Sequence, residues 1–166
     1  MIPDKIVIHA SASDDLPSLQ WAGILAYQTS YRIDGVSVSY PEWQSRKNTG
    51  QGTTFLEPWS DIGYHEGCEQ IEGKYITLMG RPWDKIGAHC QGHNGHTLGF
   101  CFVGNFQKQP PPLKQIVQGA KTIALMCRLF NTPVENIVQH RDLNNTECPG
   151  EFFPMTYLKI KVQEAL

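Results

Sequence analysis

Apolar and polar residues follow two different periods along this chain, which predicts strands interleaved with helices. Residues 5–9 form a short β-branched apolar run that ends in a histidine. Residues 97–104 form a longer apolar run suited to a central strand, and a shorter run at 136–139 again stops directly before a histidine. These three runs are the predicted centre of a β-sheet.

The clearest helical pattern lies at 113–130, where apolar side chains recur at intervals of three and four residues and line one face of a helix. A second helix is predicted at about 16–29, with Asp14 or Asp15 as its N-cap. A last helix is predicted at 155–166, directly after a proline. Each of these helices would cover a face of the sheet.

Residues 61–69 and 72–79 are predicted to pair as two strands joined across 70–71. The whole pattern predicts an α/β fold: a central mixed β-sheet of about five to six strands flanked by helices. The segment at about 30–60 is predicted to be a long irregular loop with one short helix near 41–46. Loops of this length are usually functional or mobile, but the aromatic side chains of this segment could equally serve only to pack it down.

Composition limits the class of protein. The length of 166 residues predicts a single domain, residues 1–166. With 40% hydrophobic and 18% charged residues, the chain is an ordinary globular one rather than a disordered one. A net charge of −2 argues against a nucleic-acid partner, and the lack of an 18-residue apolar run argues against membrane insertion. Five cysteines at irregular spacings argue against a full disulfide framework.

Two of the predicted strands end in a histidine, His9 and His140, and Cys148 follows eight residues after the second one. Zinc binds neutral imidazole and thiolate ligands tetrahedrally, and a site with three protein ligands keeps a fourth position open for water. By spacing alone this signal is weak, because a single histidine at the end of a strand is more often structural. The segments around these residues strengthen it.

Seven short segments in the same order carry a family resemblance, and they run from residue 6 to about 153. They are Ile6–Ala12, Asp61–His65, Gly87–His89, Gly92–Asn94, Leu98–Phe106, His140–Asp142 and Cys148–Gly150. With them the chain resembles the type 2 N-acetylmuramoyl-L-alanine amidases, zinc enzymes that share their fold with the peptidoglycan recognition proteins. Its small size is similar to that of the phage lysozyme-amidases.

The resemblance implies that His9, His140 and Cys148 ligate one catalytic Zn2+. It also implies that Tyr64 is the catalytic tyrosine beside the metal. Thr146 occupies a position where other members carry lysine or threonine, and it would help to hold the substrate carbonyl or the developing oxyanion. A threonine hydroxyl can donate a hydrogen bond but carries no positive charge, so its electrostatic contribution should be smaller than a lysine's.

The resemblance also places His89 and Asn94 in the substrate-binding groove. Arg81 and Trp83 are candidates for clamping a substrate carboxylate and a sugar face, respectively. A surface arginine and a packed tryptophan are equally compatible with the sequence.

Glu66 departs from the family pattern, which usually has an apolar residue at this position. On a strand it would share a face with Tyr64, where it could act as a general base or bind a substrate amine. We expect it instead to lie in solvent at a bulge. His65 is expected to be structural, and Arg141 and Asp142 are expected to hold the loop that follows them.

The implied activity is hydrolysis of the amide bond between N-acetylmuramic acid and L-alanine, by a phage or prophage endolysin. The expected partner is peptidoglycan or a muropeptide, and the protein is expected to be a monomer. Because the first residues lack the apolar region of a signal peptide, the expected location is the host cytoplasm until release to the cell wall. Two alternatives stay open: a non-catalytic peptidoglycan-binding module, against which the presence of Cys148 argues, and a cytoplasmic muropeptide-recycling amidase.

Overall fold

Two β-sheets and four α-helices form the fold of residues 2–13 and 20–166, the part of the chain that the computed structural model describes. The strands are β1 (Lys5–Ala10), β2 (Tyr31–Ile33), β3 (Val36–Val38), β4 (Phe55–Leu56), β5 (Glu66–Ile71), β6 (Lys74–Met79), β7 (Thr97–Phe102) and β8 (Ile137–Gln139). The helices are α1 (Gln20–Gln28), α2 (Tyr40–Thr49), α3 (Leu113–Phe130) and α4 (Met155–Ala165). Short 3-10 helices lie at Asn94–His96, Val134–Asn136 and His140–Asp142.

The larger sheet has the strand order β6-β5-β7-β1-β8. Strands β5, β7, β1 and β8 run parallel to one another, whereas β6 is antiparallel to β5. This confirms the mixed, helix-flanked sheet predicted from the sequence, with five strands. The helix predicted at 113–130 is confirmed with the same bounds as α3.

Both faces of the central strands are buried. On one face, Ile8 of β1 and Phe100 of β7 belong to the main apolar core, which α3 and α4 cover. The opposite face carries a smaller apolar cluster of Trp21 from α1 with Ile62 and Cys101. Because β1 and β7 have a layer on each side, their sequences are continuous apolar runs. Within the described residues, no helix is both long and apolar enough to cross a membrane.

The first described turn of α1 is held by a carboxylate from the sheet. Glu69 of β5 accepts hydrogen bonds from the backbone N–H groups of Gln20 (2.6 Å) and Trp21 (3.0 Å). A negative charge at this end also interacts favourably with the helix dipole. The predicted first helix is confirmed over 20–28. The rest of that prediction lies outside the described residues: its start at 16–19 and its caps, Asp14 and Asp15.

The segment at 30–60 is not the irregular loop that the sequence predicted. Its strands form a small antiparallel sheet in the order β3-β2-β4. Asp34 and Gly35 make the two-residue turn between β2 and β3, and their positive φ values of 51° and 82° are those that a tight hairpin turn requires. These strands have only two or three residues, too few to show a two-residue period.

Helix α2 continues from this hairpin and is longer than the short helix predicted near 41–46. The Ser39 hydroxyl caps it by accepting from the Glu42 N–H (3.4 Å), and Gly50 ends it in the left-handed conformation. Four aromatic side chains of this segment pack together, namely Tyr31, Tyr40, Trp43 and Phe55. Of the two alternatives stated for these aromatic residues, this is the packing role.

The predicted pairing of 61–69 with 72–79 is confirmed in part. Strand β5 starts only at Glu66, and the turn to β6 lies at 72–73 rather than 70–71. Both turn residues have positive φ, 50° and 77°, which again suits a tight hairpin turn. The residues before β5 are irregular, and this changes which side chains share a face.

Candidate metal centre and groove

His9, His140 and Cys148 come together at one edge of the larger sheet. Strands β1 and β8 are parallel neighbours, so the ends that carry His9 and His140 lie side by side. Cys148 is on the loop that follows. The three candidate ligand atoms, one from each residue, lie within 4.8 Å of one another. The structure thus assembles the three residues predicted as metal ligands.

The separation of the His9 and Cys148 donor atoms fits a tetrahedral zinc site. His9 Nδ1 lies 3.8 Å from Cys148 Sγ, and bonds of about 2.0–2.1 Å to nitrogen and about 2.3 Å to sulfur put two such ligands about 3.6 Å apart on a tetrahedral ion. Burial lowers the pKa of His9 and of His140, which favours the neutral imidazole that a metal needs. Burial raises the pKa of the Cys148 thiol, although the Ala10 N–H, 3.3 Å from Sγ, opposes this. A bound cation would keep the sulfur deprotonated.

The loop that carries Cys148 is anchored to the 3-10 turn that follows β8. The Arg141 N–H donates to the Cys148 carbonyl oxygen (3.0 Å), and the Arg141 guanidinium donates to that of Gly150. Asp142 accepts from the Gln139 N–H (2.8 Å). The bonds of Arg141 agree with the architectural role predicted for it, whereas the bond of Asp142 caps the 3-10 turn itself.

Tyr64 lies beside the cluster, with its ring centre 5.1 Å from that of His9. Its side chain interacts with the thiol of Cys101, the register partner of His9 on β7. Burial, together with the sulfurs of Cys101 and Cys148, raises the pKa of Tyr64 well above its usual value, so the phenol is protonated at neutral pH. Cys101 had no role predicted from the sequence, although alternation along a strand places it on a definite face.

A groove of about 650 Å³ runs beside the cluster. Its lining residues are Trp59, Ala88, His89, Cys90, Gln91, Asn94, His140, Asn144, Asn145 and Thr146. A smaller pocket of about 280 Å³, with Cys148 on its wall, shares Thr146 with the groove. The Thr146 hydroxyl accepts from the Cys148 N–H (3.3 Å), and its own hydrogen can donate elsewhere. The cluster of candidate metal ligands therefore borders two adjoining cavities.

Six groove residues were not predicted as site residues from the sequence: Trp59, Ala88, Cys90, Gln91, Asn144 and Asn145. Trp59 is 38% exposed, and the Arg32 guanidinium lies over its ring at 5.7 Å. It belongs to the segment that was interpreted as a loop, whose many aromatic residues were the one available signal. Asn144 is fixed by its own contacts, since Oδ1 accepts from the Cys90 thiol (2.9 Å) and Nδ2 donates to the Gln91 carbonyl oxygen (3.1 Å).

His89 and Asn94, predicted to bind substrate, border the groove but also have partners within the protein. Asn94 Oδ1 accepts from the N–H groups of His89 (2.9 Å) and Cys90 (2.8 Å), so Asn94 shapes the loop. His89 is only 7% exposed, and its Nδ1 lies 3.0 Å from Nε2 of His9. Contact of either side chain with substrate stays a prediction.

The structure separates Arg81 and Trp83 from the groove, contrary to the prediction that they bind substrate. The Arg81 guanidinium is occupied by three backbone carbonyl oxygens at 3.0, 2.7 and 3.1 Å, those of Ile62, Ile86 and Asp61. Trp83 packs against the main core on the α3 side and donates from Nε1 to Glu66 (3.1 Å). Of the alternatives that the sequence allowed, Trp83 is the packed tryptophan.

Glu66 contradicts both expectations, since it lies neither in solvent nor beside Tyr64. It is 5% exposed and contacts Trp83 on the α3 side of the sheet, whereas Tyr64 packs with the cluster on the opposite side. Burial raises the pKa of Glu66 to about 7, against the opposing effect of the Trp83 hydrogen bond. Alternation along a strand does not relate the two residues, because β5 begins only at Glu66.

His65 is structural, as predicted. Its side chain is fully buried, with Nδ1 accepting from the Gly99 N–H (2.9 Å). Nε2 therefore carries the hydrogen and donates it to the Lys85 carbonyl oxygen (3.0 Å). His65 thus ties β7 to the loop that precedes His89.

Comparison with known proteins gives consistent results. A family model described as N-acetylmuramoyl-L-alanine amidase matches residues 1–151. The chain is 33% identical over 94 residues to peptidoglycan-recognition protein LB of Drosophila melanogaster, which is 55% of this chain and 39% of that protein. It is 31% identical over 96 residues to an N-acetylmuramoyl-L-alanine amidase of Homo sapiens, 56% and 16% of the two lengths. The chain therefore spans less than half the length of these curated relatives.

Solved structures agree in fold. N-acetylmuramoyl-L-alanine amidase LysC from Clostridium intestinale URNW superposes with a TM-score of 0.65 at 22% identity, covering 98% of this chain and 86% of that one. Wild-type Drosophila PGRP-LB superposes with a TM-score of 0.64 at 22% identity, covering 92% and 78%. At this level of sequence identity, the superpositions establish only the fold of the chain.

Proposed function

Because the chain belongs to the N-acetylmuramoyl-L-alanine amidase family, we propose that it is a zinc-dependent amidase that cleaves the bond between N-acetylmuramic acid and L-alanine of peptidoglycan. The observation that carries this proposal is the convergence of His9, His140 and Cys148, whose donor atoms lie within 4.8 Å of one another beside a groove. Two imidazoles and a thiolate, with a fourth position open, are a donor set of catalytic zinc sites.

When bound, zinc supplies Lewis acidity toward the amide carbonyl and a water whose pKa is lowered to about 7. Tyr64 is protonated at neutral pH, so its hydroxyl can donate a hydrogen bond to the developing oxyanion or to the leaving amine. Thr146, on the wall shared by the two cavities, adds a second neutral donor. The protein's contribution is therefore to orient the amide and to hold protons where charge develops.

The groove suits a substrate that combines sugar and peptide. The exposed ring of Trp59 offers a flat apolar surface, and Asn145 lies on the wall with Thr146. A complex of peptidoglycan recognition proteins LCa and LCx bound to tracheal cytotoxin superposes on this chain with a TM-score of 0.63 at 23% identity. That likeness of fold is compatible with peptidoglycan or a muropeptide as the ligand of this chain.

An endolysin role is the finer part of the proposal. In its support, an endolysin N-acetylmuramoyl-L-alanine amidase LysCS from Clostridium intestinale URNW superposes with a TM-score of 0.62 at 23% identity, covering 98% of this chain and 84% of that one. An endolysin should hydrolyse intact cell wall, whereas a recycling amidase should prefer soluble muropeptides. Comparing the two rates with one preparation separates these roles.

Non-catalytic recognition is the second candidate, because the curated relatives include peptidoglycan-recognition proteins. The assembled ligand set favours catalysis, since binding alone does not require three convergent metal donors. The two candidates differ in whether zinc loading changes hydrolysis or only stability.

The experiment follows the turbidity of purified peptidoglycan with zinc-loaded protein, with chelated protein and with Cys148→Ser. Cys127→Ser is the matched control, because this thiol is buried in the main core away from the cluster. We expect wild type and the control to clear the suspension, and chelation or Cys148→Ser to abolish clearing. Tight binding to peptidoglycan by zinc-loaded wild type without any clearing would contradict the amidase and favour recognition.

A further inference from the structure

His89 contacts the candidate metal ligand His9 on the side of the His9 ring that faces away from Cys148. Its Nδ1 is 3.0 Å from Nε2 of His9, and the two rings meet at 84° with their centres 5.0 Å apart. The other nitrogen of His9, Nδ1, faces Cys148. His9 is therefore held between the ligand cluster on one side and a second imidazole on the other.

The two partners of His9 assign the protons of both rings. His9 Nδ1 lies 3.8 Å from Cys148 Sγ, so it is the nitrogen that a metal shared with Cys148 would take. Nε2 then keeps its hydrogen and donates it to Nδ1 of His89, whose own ring hydrogen lies on Nε2. A separation of 3.0 Å between the two ring nitrogens requires one of them to donate and the other to accept, so the His89 ring accepts through Nδ1.

The fold leaves a fitted space for the His89 ring. A Cβ at Gly99 would come within 2.6 Å of Cγ of His89, and a Cβ at Gly87 would come within 2.5 Å of Cδ2. The backbone N–H of His89 is held by Asn94 Oδ1 (2.9 Å). Two glycines and one side-chain amide thus fix a ring that is almost wholly withdrawn from the groove.

We propose that His89 is a positioning residue of the zinc site, which accepts the Nε2–H of His9 and so fixes the orientation and tautomer in which His9 presents Nδ1 to the metal. This inference rests on the proposed zinc function and replaces substrate contact as the main role of His89. The outer partner of a ligating histidine is usually a carboxylate, a backbone carbonyl or a water. A neutral imidazole orients His9 without adding negative charge behind a thiolate ligand.

The test compares His89→Asn with His89→Leu, two side chains of nearly the same shape of which only the amide places an acceptor near Nδ1. Zinc affinity is measured by competition with a chromophoric chelator, and thermal melts of the metal-free forms check folding. We expect His89→Leu to weaken zinc binding about 10–100-fold, the usual effect of losing an outer partner, and His89→Asn to recover most of that loss. His93→Leu, the same change in the same loop, should bind zinc like wild type.

A second readout needs no substitution. In the zinc-loaded, isotope-labelled protein, nuclear magnetic resonance should detect a scalar coupling between Nε2 of His9 and Nδ1 of His89 across the hydrogen bond. Equal zinc affinity in His89→Leu and wild type, or no such coupling in zinc-loaded protein, would overturn the positioning role while leaving the zinc site standing. A wild type that binds no zinc would instead overturn the proposed function itself.

Discussion

Replacing Glu66 with glutamine should stabilise the protein at about pH 8 and change its stability little at about pH 5. The folded protein raises the pKa of Glu66 from 4.5 to about 7, mainly through burial. Because the folded state holds this proton more tightly than the unfolded chain, the stability that it provides is complete below about pH 4.5. That stability is lost as the pH rises through about 7. Glutamine cannot ionise, and it keeps an oxygen that can accept from Trp83 Nε1.

The magnitude follows from the two pKa values. The difference between 4.5 and about 7 corresponds to about 3 kcal/mol at 1.36 kcal/mol for each pKa unit. Water that reaches the carboxyl screens part of this penalty, so we expect Glu66→Gln to gain about 1–3 kcal/mol at the higher pH. The hydrogen bond from Trp83, at 3.1 Å, contributes at both pH values and largely cancels.

Urea unfolding of wild type and Glu66→Gln at both pH values measures the effect. Glu72→Gln, in the exposed turn between β5 and β6, is the control for the chemical change itself. Peptidoglycan hydrolysis by Glu66→Gln should match wild type, because Glu66 lies on the face opposite Tyr64. A destabilised Glu66→Gln at the higher pH, or a stability difference from wild type that does not vary with pH, would show that the Glu66 carboxyl is not held protonated by burial.

Glu69→Ala should cost about 0.5–2 kcal/mol in urea unfolding, because two N–H groups of α1 lose their acceptor; a cost no greater than that of Glu72→Ala would count against this capping. Gly99→Ala should lower the free energy of unfolding by about 1–3 kcal/mol, since its Cβ would lie 2.6 Å from Cγ of His89. The same variant should also weaken zinc binding in the chelator competition. Wild-type zinc affinity in that variant would show that the ring can move without consequence. Trp59→Ala should raise KM about 2–10-fold with kcat little changed, because its ring lines the groove and is not one of the candidate metal ligands. A fall in kcat alone would place Trp59 in the chemical step instead.

The parts of the fold that the sequence predicts well are those with long periodic signals. Helix α3 has 18 residues with one apolar face, and the buried strands β1 and β7 each have six residues. The sheet formed by β2, β3 and β4 has strands of two or three residues, which carry no detectable period. Its one local signal was the Asp34-Gly35 pair, a sequence that favours tight hairpin turns.

The residues of the candidate site also differ in how well the sequence predicts them. The candidate metal ligands could be named because segments typical of the family surround them, whereas their spacing alone was a weak signal. The surroundings of His89, Trp83 and Glu66 depended on packing that a sequence does not display. Whether His89 faces substrate or His9 is decided by the space that Gly87 and Gly99 leave. The side taken by Glu66 was decided by where β5 begins.

Zinc-dependent amidase activity is tested most directly by titrating metal-free protein with zinc and measuring the new L-alanine amino termini released from peptidoglycan. We expect the rate at which these termini appear to rise in proportion to added zinc and to reach a plateau at about one ion per chain, the stoichiometry of a single three-ligand catalytic site. Cys148→Ser should release none at any zinc concentration used. Wild type that binds one zinc ion, remains folded and binds peptidoglycan, yet releases no L-alanine termini, would contradict the account.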